Sequence, residues 1–293
     1  MEYGICLPHY GLAMEPARIK EFSRAAEELG YHSLWVTDHI VVPKERDMLY
    51  KHRMLEPLAT LTYLAGITAE IRIGTSVIVL PYRHPVLVAK AIATADLLSG
   101  GRVIFGAGVG ALEREFIALN ANFRERGKVA DECLDFIKTI WADPGSDYPG
   151  QFVSFKDIYY SPLPEQLPHP PIWIGGSTRR SGRRAVEYGT AWHPTNVTPQ
   201  QYGEIVEYMG VLAERRGDSH IPDLTIRMPV YFDEPLPPGR MGWAGSNESI
   251  VQQVQEFVEV GVQHVVFGFP DLVMDEALQQ LDRLAKEVIP QIG

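Results

Sequence analysis

The sequence predicts an α/β protein, a (β/α)8 barrel of the TIM-barrel architecture with insertions after strands 2, 4 and 7. Three observations predict it. Short apolar runs alternate with amphipathic segments along the whole chain, the mark of a parallel sheet covered by helices. The alternation counts eight strands and eight main helices, the inventory of a closed barrel. A length of 293 residues suits one such barrel, whose usual size is about 250 residues plus insertions, so a single domain is expected over 1–293. A doubly wound open sheet is the alternative, but it rarely needs eight such units.

A strand over 3–7 precedes a helix over 17–29, which stops at Gly30. The run SLWVT (33–37) is the second strand and leads to a helix over 55–68. IRIGTSVIVL (71–80) is the third, with a helix over 86–98 ending in Ser99-Gly100-Gly101. Residues 102–106 form the fourth strand, followed by a turn of helix near 114–119 and a longer helix over 128–141. PIWIG (171–175) is the fifth strand with a helix over 181–188, and 191–193 is the sixth before a helix over 200–215. The seventh strand, 224–231, precedes a helix over 248–260; QHVVFG (263–268) is the eighth, and a helix over 276–288 closes the chain. The insertions 38–54 and 232–246 follow strands and so belong over the strand C-terminal ends. The third, 143–170, follows a helix and belongs on the opposite face; its stretch QFVSFKDIYYSP reads as a small hairpin.

Composition narrows the function. Lys and Arg number 27 against 37 Asp and Glu, a net charge of −10, which disfavours nucleic acid and anionic membrane surfaces as partners. Hydrophobic residues at 45% and charged residues at 22% are those of a globular chain rather than a disordered one. Cys6 and Cys133 are too few and too isolated for a disulfide framework, and buried reduced thiols suit a cytoplasmic setting. No apolar run is long enough to span a membrane, and the N-terminus lacks the layout of a signal peptide. A soluble cytoplasmic protein is expected.

Active sites of such barrels lie at the strand C-terminal ends. Those ends carry His9 and Tyr10, Asp38 and His39, Tyr82 and Arg83, Gly106 and Gly108, Gly175 to Ser177, and His193. The turn Ile174-Gly175-Gly176-Ser177-Thr178 runs from a strand straight into a helix, where glycines admit a ligand and free N–H groups attract a phosphate. Arg179, Arg180, Arg183 and Arg184 follow; an anion site and a solvated basic face are equally balanced readings for those beyond the first turn. Gly106-Ala107-Gly108-Val109-Gly110 has the spacing of a dinucleotide turn but stands mid-chain, and a flat ring lying against its backbone suits it better. His39 can exchange a proton near neutral pH, and His9 and His193 are weaker candidates of the same kind. Trp35 and Trp173 read as core, and Trp243 as a candidate lid residue. No spacing matches a metal box or a serine nucleophile elbow, so no metal site is expected.

The stretches EELGYHSLWVTDH (27–39), IRIGTSVIVLPYRHPVLVAKAIATADLLSGGRVIFGAGVG (71–110), PHPPIWIGG (168–176) and AWHP (191–194) resemble the luciferase-like monooxygenase superfamily, and within it the oxidoreductases that use the deazaflavin coenzyme F420. The resemblance implies the same barrel fold. It places Asp38 and His39 beside the isoalloxazine-like ring and a non-proline cis peptide at Ser76-Val77, forming a bulge beneath it. It implies that Gly106, Gly108 and Gly110 lie along the cofactor and that Gly175, Gly176 and Ser177 hold its phosphate. Arg179 and its neighbours would meet the glutamate tail of F420, which FMN lacks. In the related sugar-phosphate dehydrogenases a catalytic Glu follows the fourth-strand turn; Ala111 stands there, with Glu113 and Glu115 further along.

The expected function is hydride transfer between deazaflavin C5 and a small organic substrate, with His39 as proton donor or acceptor and Asp38 positioning it. His9, Tyr10, Tyr82 and His193 would line the substrate side, and the loops 38–54 and 232–246 would set specificity. The alternatives are an FMN-dependent monooxygenase using O2 and a flavin-binding barrel without catalysis. Family resemblance also implies a homodimer.

Overall fold

The computed structural model describes residues 1–44, 53–218 and 220–292. The expected loop 38–54 therefore lies partly outside the described residues. Strand β1 (Glu2–Cys6) pairs in parallel with β2 (Ser33–Val36) on one side and with the last strand, β12 (His264–Gly268), on the other. That double pairing closes the ring. Around it follow β3 (Arg72–Thr75), β5 (Val103–Gly108), β8 (Ile172–Gly175), β9 (Ala191–His193) and β10 (Asp223–Phe232), all parallel. Eight strands thus close into the predicted barrel.

The third predicted strand is broken in two. It runs as β3 to Thr75 and resumes as β4 (Ile78–Val79), still paired with β5, and the break is a cis peptide at Ser76-Val77. The 143–170 insertion carries the antiparallel pair β6 (Tyr148–Pro149) and β7 (Ser154–Phe155). Its Gln166 donates to Val103 O at 2.8 Å, at the start of β5, which places it on the N-terminal face as expected.

Helices α1 (Ile19–Glu28), α2 (Pro57–Ile67), α3 (Pro85–Ser99), α4 (Glu113–Ala118), α5 (Arg126–Ala142), α6 (Arg179–Tyr188), α7 (Pro199–Arg216), α8 (Asn247–Glu259) and α9 (Met274–Arg283) surround the barrel. Their ends follow local rules. Thr178 with Ser181 and Thr198 with Gln201 form capping boxes at α6 and α7. Gly100 and Gly217 close α3 and α7 with positive φ. The last predicted helix is shorter than expected, because the winding loosens to a π segment over Leu284–Val288.

Trp35 and Trp173 fill the barrel lumen with Cys6, Ile104, Ala191 and Val266, their rings 4.7 Å apart. Gly4 and Gly74 make this possible: a Cβ on either would lie 2.6 or 2.5 Å from the Trp35 ring. The outer core, between barrel and helices, holds most of the remaining buried apolar side chains. Trp243 belongs to it and is not a lid: it sits in β11 (Trp243–Gly245), paired with β10 and 1% exposed. Cys6 and Cys133 are buried free thiols. Among the described residues, no helix is long and apolar enough to cross a membrane.

Candidate active site at the barrel mouth

The Ser76-Val77 bulge is the centre of the C-terminal mouth. The Val77 methyls reach across to β5 and β8, where a Cβ would lie 2.5 Å from them at Gly108, 2.8 Å at Gly175 and 3.1 Å at Gly106. At Gly106 a Cβ would also stand 1.7 Å from Thr75 O. These glycines therefore make room for the bulge, and Val77 covers their backbone. Gly110, at φ 75°, would bring a Cβ within 2.7 Å of Val79; it turns the chain from β5 toward α4.

A buried polar chain fixes the bulge from below. Thr225 Oγ1 donates to Trp192 O at 3.0 Å, so it accepts from His193 Nδ1 at 2.7 Å. That assigns the proton to Nδ1 and leaves His193 Nε2 to accept from Ser76 Oγ at 2.9 Å. His193 stacks on Trp35 and is 3% exposed, and burial pushes its pKa far down, so the ring stays neutral. It braces the bulge rather than lining a substrate pocket. Arg227 Nη1 donates to Ser76 O at 3.1 Å, placing a guanidinium under the same peptide. Sequence reasoning missed this arginine; a lone charge inside the apolar run 224–231 was its signal.

His9 also departs from expectation. It is fully buried, donates from Nδ1 to Leu7 O at 2.9 Å and accepts at Nε2 from Thr37 N at 3.1 Å. Burial drops its pKa to about 4. It ties the ends of β1 and β2 together, with its ring edge-on to the half-buried Tyr10. Tyr10 in turn pairs with Met54 at the far end of the second-strand insertion.

His39 has a different carboxylate partner from the expected Asp38. His39 Nδ1 donates to Glu115 Oε2 at 2.7 Å, and Tyr82 donates its hydroxyl to the same oxygen at 3.1 Å. Glu115, in α4, is fully buried, and its Oε1 has no hydrogen-bond partner among the described residues. Burial and the Glu115 charge raise the Tyr82 pKa, so the phenol stays protonated and donates. Asp38 faces elsewhere: its carboxylate accepts from Val79 N at 2.8 Å and is gripped by Arg83 at 2.6 and 2.9 Å. It anchors β4 and Arg83, and the carboxylate in contact with the His39 ring is that of Glu115.

At the start of α6, Gly176 stands at φ 114° and leads into the first turn, where Thr178 accepts from Ser181 N–H and the Arg179 and Arg180 N–H groups precede the first intrahelical acceptor. Ser177 Oγ donates to Thr195 O, so its hydroxyl is spent on a neighbouring strand end. Arg179 and Arg180 are exposed beside this turn, with Arg179 over the Tyr208 ring at 5.4 Å. Arg183 and Arg184 are committed elsewhere, to Asp131 at 2.8 and 2.5 Å.

The sequence model of the luciferase-like monooxygenase family matches residues 1–235. The chain belongs to that family. Among its relatives, the F420-dependent hydroxymycolic acid dehydrogenase of Mycobacterium tuberculosis is 30% identical over 192 residues, 64% of this chain and 51% of that protein. The oxygenase component of the flavin-dependent trigonelline monooxygenase of Acinetobacter baylyi is 28% identical over 223 residues, 72% of this chain and 58% of that one. An F420-dependent secondary alcohol dehydrogenase, in complex with an F420–acetone adduct, shares the fold with a TM-score of 0.84 at 17% identity, over 100% of this chain and 99% of its own. This luciferase-like protein is therefore an oxidoreductase whose relatives use either a deazaflavin or a flavin.

Proposed function

We propose that this luciferase-like protein is an F420-dependent oxidoreductase that moves a hydride between the deazaflavin and a small organic substrate. The observation that carries the reading is the His39–Glu115–Tyr82 trio beside the bulge, a protonic device with one buried carboxylate oxygen unpaired among the described residues. The residues fit such a cofactor. Val77 offers an apolar support for a flat ring, the α6 N-terminus offers a phosphate site, and Arg179 and Arg180 stand ready for an anionic tail.

The bound deazaflavin would supply the two-electron carrier. The chain supplies the rest. His39 gives a proton to, or takes one from, the substrate oxygen, and Glu115 at Nδ1 steadies the imidazole while its charge changes. Tyr82 donates to Glu115 and keeps that carboxylate in place. Val77, held by Ser76, His193 and Arg227, would offer the ring an apolar support.

The reading is tested by titrating the purified chain with F420 and with FMN, followed by fluorescence. Tight F420 binding and weak FMN binding are expected, with loss of F420 affinity and little change for FMN in the Arg179→Glu, Arg180→Glu double variant. The opposite preference, with O2 consumption in the presence of reduced FMN, would replace it with the monooxygenase reading.

A further inference from the structure

The N-terminal end of the barrel carries a second cluster, on the face opposite the candidate active site. Glu2 and His264 are paired residues on the neighbouring strands β1 and β12. His32, whose backbone N–H donates to Tyr3 O at 2.8 Å, stands just before β2 on the other side. Glu2 Oε2 lies 2.9 Å from His264 Nδ1 and 3.3 Å from His32 Nε2, and the three ligand atoms all lie within 4.8 Å of one another. Ligands bound about 2.0–2.1 Å from a tetrahedral zinc stand about 3.3 Å apart. The described residues contain no other such trio of His, Cys, Asp or Glu.

We propose that Glu2, His32 and His264 bind a divalent transition metal of the Zn2+ class, with water in the fourth position, clasping the first, second and last strands at the barrel seam. Two further features suit a ligand there. His264 is 3% exposed, and its second ring nitrogen lies 3.0 Å from Ser33 Oγ, which itself accepts from Trp35 Nε1 at 2.8 Å. This is the outer hydrogen bond that orients a metal-bound imidazole. A cavity of about 470 Å3 opens in front of Glu2 and His264, between Trp173, Asp223, Thr225 and Gln263, with room for water on the metal. Glu2 and His32 are part exposed, so the ion has a path in.

Two imidazoles and one carboxylate select a borderline metal over Ca2+ or Mg2+, which demand more oxygen ligands. Arg72 is the opposing charge felt by Glu2, and its guanidinium is tethered to Gln166 Oε1 at 3.0 Å and Val103 O at 3.3 Å. No spacing motif announces the site, because 262 residues separate Glu2 from His264. Only the closing pair of strands brings them together.

The test is equilibrium dialysis of the untagged, chelator-stripped full chain against Zn2+, with Co2+ as an optical probe. One equivalent of zinc, a tetrahedral visible Co2+ spectrum and a Tm raised by several degrees are expected. Glu2→Gln and His32→Ala should each weaken zinc binding at least tenfold and abolish the Tm increase, with far-UV circular dichroism unchanged in the metal-free state. His39→Ala, at the other mouth, should keep the equivalent. No stoichiometric zinc, or zinc retained in both variants, would overturn the proposal and leave the trio a hydrogen-bonded staple.

Discussion

Glu115 is buried, shares one oxygen between His39 and Tyr82 and has no partner for the other among the described residues. Such an arrangement costs stability and is retained where chemistry uses it. Glu115→Gln removes the charge while keeping the volume, so kcat should fall about a hundredfold with cofactor affinity nearly unchanged. Stopped-flow turnover alongside a cofactor titration measures both. A loss confined to affinity would reassign Glu115 to binding. His39 was legible from its place after an apolar run, whereas Glu115 was not, because its proximity to His39 comes from packing across 76 residues.

At the scale of elements, the interrupted third strand decides the mouth. β3 and β4 hold the bulge, and β5 and β8 receive it through glycines whose Cβ atoms would clash with Val77 or Thr75. Gly106→Ala should destabilise the chain by about 3 kcal/mol, since overpacking here meets backbone rather than a flexible side chain. Urea unfolding checks this, and a midpoint within error of the parent would show that the bulge can shift. The glycines were visible in the sequence as a pattern, but their reason was not. They resembled a ligand-binding turn, and they clear space for the Val77 side chain of the broken third strand. Ser177 and Arg184 show the same limit at α6: each stands beside the glycine turn, and each spends its polar group on a neighbouring segment.

Over the whole molecule, the buried histidines make stability depend on pH. An unfolded histidine takes a proton near pH 6.5, whereas His9 in the fold resists until about 4. Between those values the unfolded chain binds more protons, so stability is full above pH 6.5 and declines as the pH falls toward 4. His9 alone contributes up to about 3 kcal/mol of that decline, and His193 acts in the same direction. Urea midpoints at pH 7.5 and 5 measure it, and a shallower slope is expected for His9→Gln. Equal midpoints in the parent at the two pH values would contradict the buried neutral assignment.

The alternation of apolar runs and amphipathic segments was enough to determine the barrel, its strand order and the faces on which two of the insertions lie, because periodicity and connection length are local properties of the chain. It also determined which end carries His9, His39, His193 and the glycine turns. Tertiary structure alone decided which of these groups touch. Closure of the ring buried His9 and His193, turned Asp38 to Arg83, brought Glu115 to His39 and set Glu2 against His264. Those contacts join residues far apart in sequence, and no spacing along one chain encodes them.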